Sequence, residues 1–115
     1  MKCVYVAGAY NGPNVLAVLD NMRRGMHLAY GVLRAGYAPF CPWFDYHFSL
    51  IGPMTMGEYK DYSMAWLEKA DAVLVVEHGW EKSLGTRAEI ARAHEIGIPV
   101  FFSIGELRQW DSTEP

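Results

Sequence analysis

The residues able to do chemistry in this 115-residue chain gather in three segments. The richest is Glu77-His78-Gly79-Trp80-Glu81-Lys82-Ser83-Leu84-Gly85-Thr86-Arg87-Ala88-Glu89. Ser83 can cap a helix by accepting amide hydrogen bonds from its first turn, or donate to a bound oxygen. Gly85 stands four residues before Glu89, hence on the same helical face, and leaves open space in front of that carboxylate. In the second turn, Glu89 also feels the positive end of the helix, which favours its ionised form. An ionised carboxylate held beside open space is what a nucleophile needs. The competing expectation is a solvated Glu89 paired with Arg92 at i+3.

The second segment is Gly8-Ala9-Tyr10-Asn11-Gly12-Pro13-Asn14. Two glycines at a strand-to-helix turn resemble a phosphate cradle in outline, because amides at a helix start attract anions. The spacing matches neither the P-loop nor the dinucleotide fingerprint, and no Lys is present. Small residues there would let a ligand approach the backbone closely, or simply make a tight turn. The third segment is aromatic: Tyr37, Phe40, Trp43, Phe44, Tyr46 and Phe48 fall within residues 37–48. Such a wall of rings suits a binding pocket or a subunit interface.

Hydrophobic period supplies the elements that must position these groups. Residues 3–8 form a short apolar run ending in Gly, which predicts a buried strand. Apolar side chains then recur at 15, 18, 22, 26, 29 and 33, at helical spacing, and Gly36 stops that helix. Residues 37–41 predict a second strand, followed by an aromatic, Pro-rich loop reaching Gly57. A helix over 58–69 carries Tyr59, Tyr62 and Trp66 on one face. Ala72 to Val76 is the clearest strand. A loop over 79–82 leads to Ser83, the cap of a helix that ends at Gly97. A fourth strand spans 98–102, and a short helix lies near 105–110. Alternation of this kind predicts parallel pairing through right-handed crossovers. The expected fold is α/β: a three-layer, doubly wound, mainly parallel sheet of four to five strands, in a single domain over residues 1–115. Ligands in such sheets bind beyond the carboxyl ends of the strands, where the loops 8–14, 42–57 and 77–84 converge.

Composition narrows the partners. Lys+Arg number 10 against 13 Asp+Glu, for a net charge of −3. Without a basic run beyond Arg23-Arg24, polymeric nucleic acid is a poor partner. Apolar runs are short, as in Ala72 to Val76, against the ~20 residues that span a bilayer. No secretory signal is evident at the start, and Cys3 and Cys41 read as free, buried thiols in apolar strands. The cytoplasm is the expected compartment. His27 and His94 fall on helix surfaces. His78 ends the third strand and faces the crevice, but no second His or Cys neighbours it at metal-ligand spacing. Neither a metal nor a cofactor is expected.

Asp71-Ala-Val-Leu-Val-Val, then Gly79-Trp80-Glu81-Lys82-Ser83-Leu84-Gly85-Thr86-Arg87-Ala88-Glu89 and Ala93, resemble the nucleoside 2-deoxyribosyltransferase superfamily. Tyr5-Val6-Ala7-Gly8 and Met64-Ala65-Trp66-Leu67-Glu68-Lys69-Ala70-Asp71 fit the same pattern. That superfamily includes the 2'-deoxynucleoside 5'-monophosphate N-glycosidases, and the chain is most similar to its short, often phage-borne DUF4406-type branch. The resemblance covers most of residues 3–103 and is weakest across 42–57; its specific part is Ser-x-Gly-x-x-x-Glu. It implies a flavodoxin- or Rossmann-like domain that cleaves, or transfers across, the N-glycosidic bond of a deoxynucleoside or its monophosphate. It implies that Glu89 attacks C1' to form a glycosyl-enzyme, as in a retaining glycosidase. It further implies that Tyr5 orients the nucleophile, that Ser83 meets a phosphate or hydroxyl, and that subunits of a homo-oligomer, a dimer first of all, complete each other's sites.

Several positions depart from the pattern. A family Asp aligns with Ser63, and Asp61 can replace it only if the helix start shifts. A second family Asp falls on Ser83, which favours the glycosidase over the base-exchanging transferase. The Ser and Arg that hold phosphate in the monophosphate glycosidases fall on Ala9 and Asn11. Asp71, at the start of the third strand, lies ~20 Å from the crevice and reads as structural.

With a nucleoside as ligand, the three segments take on expected roles. Gly8, Ala9, Tyr10 and Asn11 would pass close to it. Trp43 or a neighbouring ring would stack on the base, worth roughly 1–3 kcal/mol, and Asp45 or His47 would handle its proton, with Asp61 the first candidate acid. Gly79, Trp80, Ser83 and Gly85 would line the substrate site, with Gly85 leaving the space that the sugar needs. Two alternatives remain: a nucleotide-binding module of the same fold without turnover, and a phosphoribohydrolase analogue acting on NAD- or cytokinin-type substrates.

Overall fold

The computed structural model describes residues 1–113. Its centre is β1 (Cys3–Ala7), a Val-rich run too apolar to face water. β1 pairs in parallel with β2 (Ala38–Phe40) on one side and with β3 (Ala72–Val75) on the other, and β3 pairs in parallel with β4 (Val100–Phe101). The order β2-β1-β3-β4 makes a four-stranded, all-parallel sheet. Each parallel pair needs a crossover, supplied by α1 (Val15–Arg34), α2 (Met56–Leu67) and α3 (Leu84–Glu95); α4 (Ile104–Thr113) follows the last strand.

Strand period divides the core between two faces. Val4, Val6, Ala72 and Leu74 point to one side and pack with Met22, Ala29 and Val32 of α1 and Leu107 of α4. Tyr5, Ala7, Val73 and Val75 point to the other, against Leu67 of α2 and Ala93 of α3. With helices on both faces, β1 beyond Cys3 and the whole of β3 are shut off from water, which explains their apolar runs. The fold is therefore the expected three-layer, doubly wound α/β sheet.

The structure moves several boundaries. The loop expected over 42–57 contains a 3-10 helix, Pro42–Leu50. α2 begins at Met56 rather than 58, because Thr55 and Glu58 form a capping box: the Thr55 hydroxyl accepts from the Glu58 amide at 3.1 Å, and the Glu58 carboxylate accepts from the Thr55 amide at 2.8 Å. α4 runs on to Thr113, its first turn held by the Ser103 hydroxyl accepting the Glu106 amide. Cys3 is exposed, contrary to expectation, since it stands at the open end of β1; Cys41 is buried, and both are free thiols. Asp71 is structural. Its carboxylate accepts the Cys3 amide at 2.7 Å, while its own amide donates to the Cys3 carbonyl, joining the starts of β1 and β3.

Candidate active site

Beyond the carboxyl ends of β1 and β3 lies a cavity of about 1070 Å³, walled by the loop after β1, the 3-10 helix, α2 and the start of α3. Each wall is locally fixed. Asn14 caps α1 by accepting the Ala17 amide at 2.9 Å, and Asn21 donates to the carbonyls of Tyr10 and Asn11. Gly8, Ala9, Tyr10 and Asn11 thus line the cavity on a pinned loop.

Trp43 pins the same loop from the 3-10 helix, its indole donating to the Ala9 carbonyl at 3.2 Å. Its ring fills the notch left by Gly25 in α1, where any Cβ would overlap it. Only 1% of Trp43 is exposed. It builds the wall and has no free face for a base, which corrects the stacking role expected of it.

α2 presents Met56, Tyr59, Lys60, Ser63 and Met64 to the cavity, a row spaced at three and four residues. Asp61 falls off that row and is exposed outside the cavity, so the expected acid does not reach the site; Ser63 occupies its turn. His47 is likewise outside, its Nδ1 against the Phe44 carbonyl at 2.8 Å and its ring on Tyr46. Trp80 turns away to pack on Phe102. Asp45, by contrast, lines the cavity, as do Gly79, Ser83 and Gly85.

Glu89 is the chemical focus. It lines the cavity, and the Tyr5 phenol donates to its Oε2 across the sheet–helix layer. Tyr5 is held by stacking on Phe40, which in turn stacks on Trp66. The Ser63 hydroxyl donates towards the same phenol oxygen. Arg92 is occupied by Glu68 and Glu95, which rules out the expected alternative of an Arg92–Glu89 pair. Burial raises the Glu89 pKa from 4.5 to about 7, although the Tyr5 hydrogen bond and the Lys60 charge pull the other way. The expected preference for the ionised form at the helix start is therefore outweighed by desolvation. Tyr5, buried and facing that charge, has its pKa raised far above normal and stays a donor.

Ser83 works as the N-cap of α3, accepting from the Thr86 amide at 3.2 Å and the Thr86 hydroxyl at 2.9 Å. With its oxygen occupied as acceptor, its own hydroxyl proton remains available to the cavity. A Cβ at Gly85 would meet nothing within 4 Å, so a volume opens one turn before Glu89.

A family model, Domain of unknown function (DUF4406), matches residues 2–102. The chain belongs to this family. The match spans the four strands and α1 to α3, and with them every element of this chain that walls the cavity. Nothing among curated proteins matches the chain.

Lys60, Lys82, Tyr59 and Ser63 line the cavity without having been expected there. For Tyr59, Lys60 and Ser63 a signal existed: once the capping box sets the start of α2, their spacing puts them on one face. Among the described residues, no three His, Cys, Asp or Glu side chains are grouped to hold a metal ion. No helix among them is long and apolar enough to cross a membrane.

Proposed function

We propose that this domain breaks the N-glycosidic bond of a 2'-deoxynucleoside or its 5'-monophosphate, with Glu89 as the nucleophile that takes the sugar. One observation carries the reading: a desolvated carboxylate, bonded among the described residues to Tyr5 alone, faces the open volume in front of Gly85. In its ionised form Glu89 attacks C1' as the base departs, and water or a second base releases the glycosyl group. Tyr5 holds the carboxylate orientation and stabilises its charge. The Ser83 hydroxyl donates to a sugar or phosphate oxygen, and the cations of Lys60 and Lys82 suit an anionic group on the substrate. The resemblance to the deoxyribosyltransferase superfamily supports this assignment, and the two free thiols suit action in the reducing cytoplasm.

The test is chromatography of free base after incubation with the deoxynucleosides and their monophosphates. Glu89→Ala should lower release by several orders of magnitude with the fold intact, and a glycosyl adduct on Glu89 should appear in the parent's mass spectrum. A Glu89→Ala protein that releases base close to the parental rate would overturn the reading. Ligand-induced thermal shifts without any release would point instead to a binding module.

A further inference from the structure

The cavity contains a second carboxyl that the Glu89 chemistry leaves unused. Asp45 projects into it from the 3-10 helix and is partly buried. Among the described residues no side chain hydrogen-bonds or ion-pairs with it; the group reaching its carboxyl is its own backbone amide. The element carrying it is fastened at both ends. Two residues before it, Trp43 is locked against Gly25 and the Ala9 carbonyl; four residues after it, the Ser49 hydroxyl bonds the Tyr59 phenol of α2. A partly desolvated acid without a partner, on a clamped element facing the nucleophile's cavity, is organised for proton transfer.

We propose that Asp45 is the catalytic acid that protonates the departing base. This rests on the N-glycosidic reading above. As the Glu89 Oε–C1' bond forms, the C1'–N bond breaks and its electron pair stays with the base. The Asp45 carboxyl delivers its proton to that base and becomes a carboxylate. In the second half, water attacks C1' and gives a proton to Asp45, and the C1'–O bond pair returns to Glu89 as carboxylate. Both groups end as they began.

The other groups around the cavity suit this less well. Ser63 is engaged with Tyr5, and Tyr10 is a phenol whose pKa burial raises further. His78 is exposed at the rim, and the cations of Lys60 and Lys82 suit the anionic group of the substrate. Burial also raises the Asp45 pKa, which favours the protonated form that the first half needs.

The experiment compares the parent with Asp45→Asn on two pairs of substrates whose bases differ in their need for a proton. One pair is 2'-deoxyguanosine and its 7-methyl derivative, whose base leaves without protonation. The other is 2'-deoxyuridine and its 5-fluoro derivative, whose base is the better leaving group. On any pair the parent turns over, Asp45→Asn should cost about 100-fold or more on the ordinary member and at least about tenfold less on the activated one. Equal losses on both members, or no loss on either, would overturn the role of Asp45 while leaving Glu89 chemistry standing. A parent active only on the activated members would overturn it as well, since a working acid is what the ordinary base requires. A parent inactive on both pairs, offered as nucleosides and as 5'-monophosphates, would remove the N-glycosidic reading and this inference together.

Discussion

At the scale of single residues, Glu89 sets function against stability. Its pKa is about 7 in the fold against 4.5 ordinarily, so the folded chain holds that proton more tightly than the unfolded one. Below about pH 4.5 the carboxyl is neutral in both states and carries no penalty. From there to about pH 7, stability falls as pH rises, and above pH 7 the full cost of a buried charge remains. Glu89→Gln keeps an acceptor for the Tyr5 phenol and removes the charge. Thermal and urea unfolding at pH 8 should therefore show Glu89→Gln more stable than the parent by about 1–3 kcal/mol, with little difference at pH 4. A variant less stable than the parent at pH 8 would mean that the carboxylate is better solvated than its position implies.

At the scale of elements, two helical glycines make opposite use of a missing side chain. In α1, Gly25 leaves the notch that the Trp43 ring fills; in α3, Gly85 leaves a volume that nothing fills. Replacing a mid-helix glycine by alanine ordinarily gains about 0.5–1 kcal/mol. Gly85→Ala, in the first turn of α3, should gain a smaller part of that. Gly25→Ala should reverse it, losing about 1–3 kcal/mol as Trp43 is pushed from its seat and drags the Ala9 carbonyl with it. Denaturant midpoints of the two variants should move in opposite directions. Gly85→Leu should leave the midpoint near the parental value while filling the space in front of Glu89, and so remove base release without touching an acid.

At the scale of the whole molecule, the cavity mouth carries an unusual load of exposed apolar side chains. Leu50 is 74% exposed and Leu84 82%, both lining the cavity; outside its lining, Leu16 is 78% exposed and Ile51 91%. Clusters of that kind on a small domain favour association. A dimeric mass is the expected result of light scattering at micromolar concentration, and a monomeric mass would count against it.

Much of this architecture is local and so was legible in the sequence. Apolar runs of four or five residues, helical spacing from Val15 onward and Ser83 before α3 specify alternating strands and helices. Parallel connection then places the loops after β1 and β3 at one end. The relation of Gly85 to Glu89 is likewise local, since four residues along a helix return to the same face. The capping box of Thr55 and Glu58 was equally readable, and with it the row that admits Ser63 to the cavity and leaves Asp61 outside. What remained depends on contacts between distant segments. No pattern within β1 marks Tyr5 among its apolar neighbours, since its bond to Glu89 spans 84 positions. The seat of Trp43 is cut by a glycine in another helix. The helix alone mispredicts the charge state of Glu89, because the helix dipole is a local quantity whereas desolvation is summed over everything packed around the carboxylate. The order of elements and the helical face of Glu89 follow from patterns along the chain. Which groups meet in the cavity emerges with folding, because burial and cross-layer hydrogen bonds arise from segments that are neighbours in space and not along the chain.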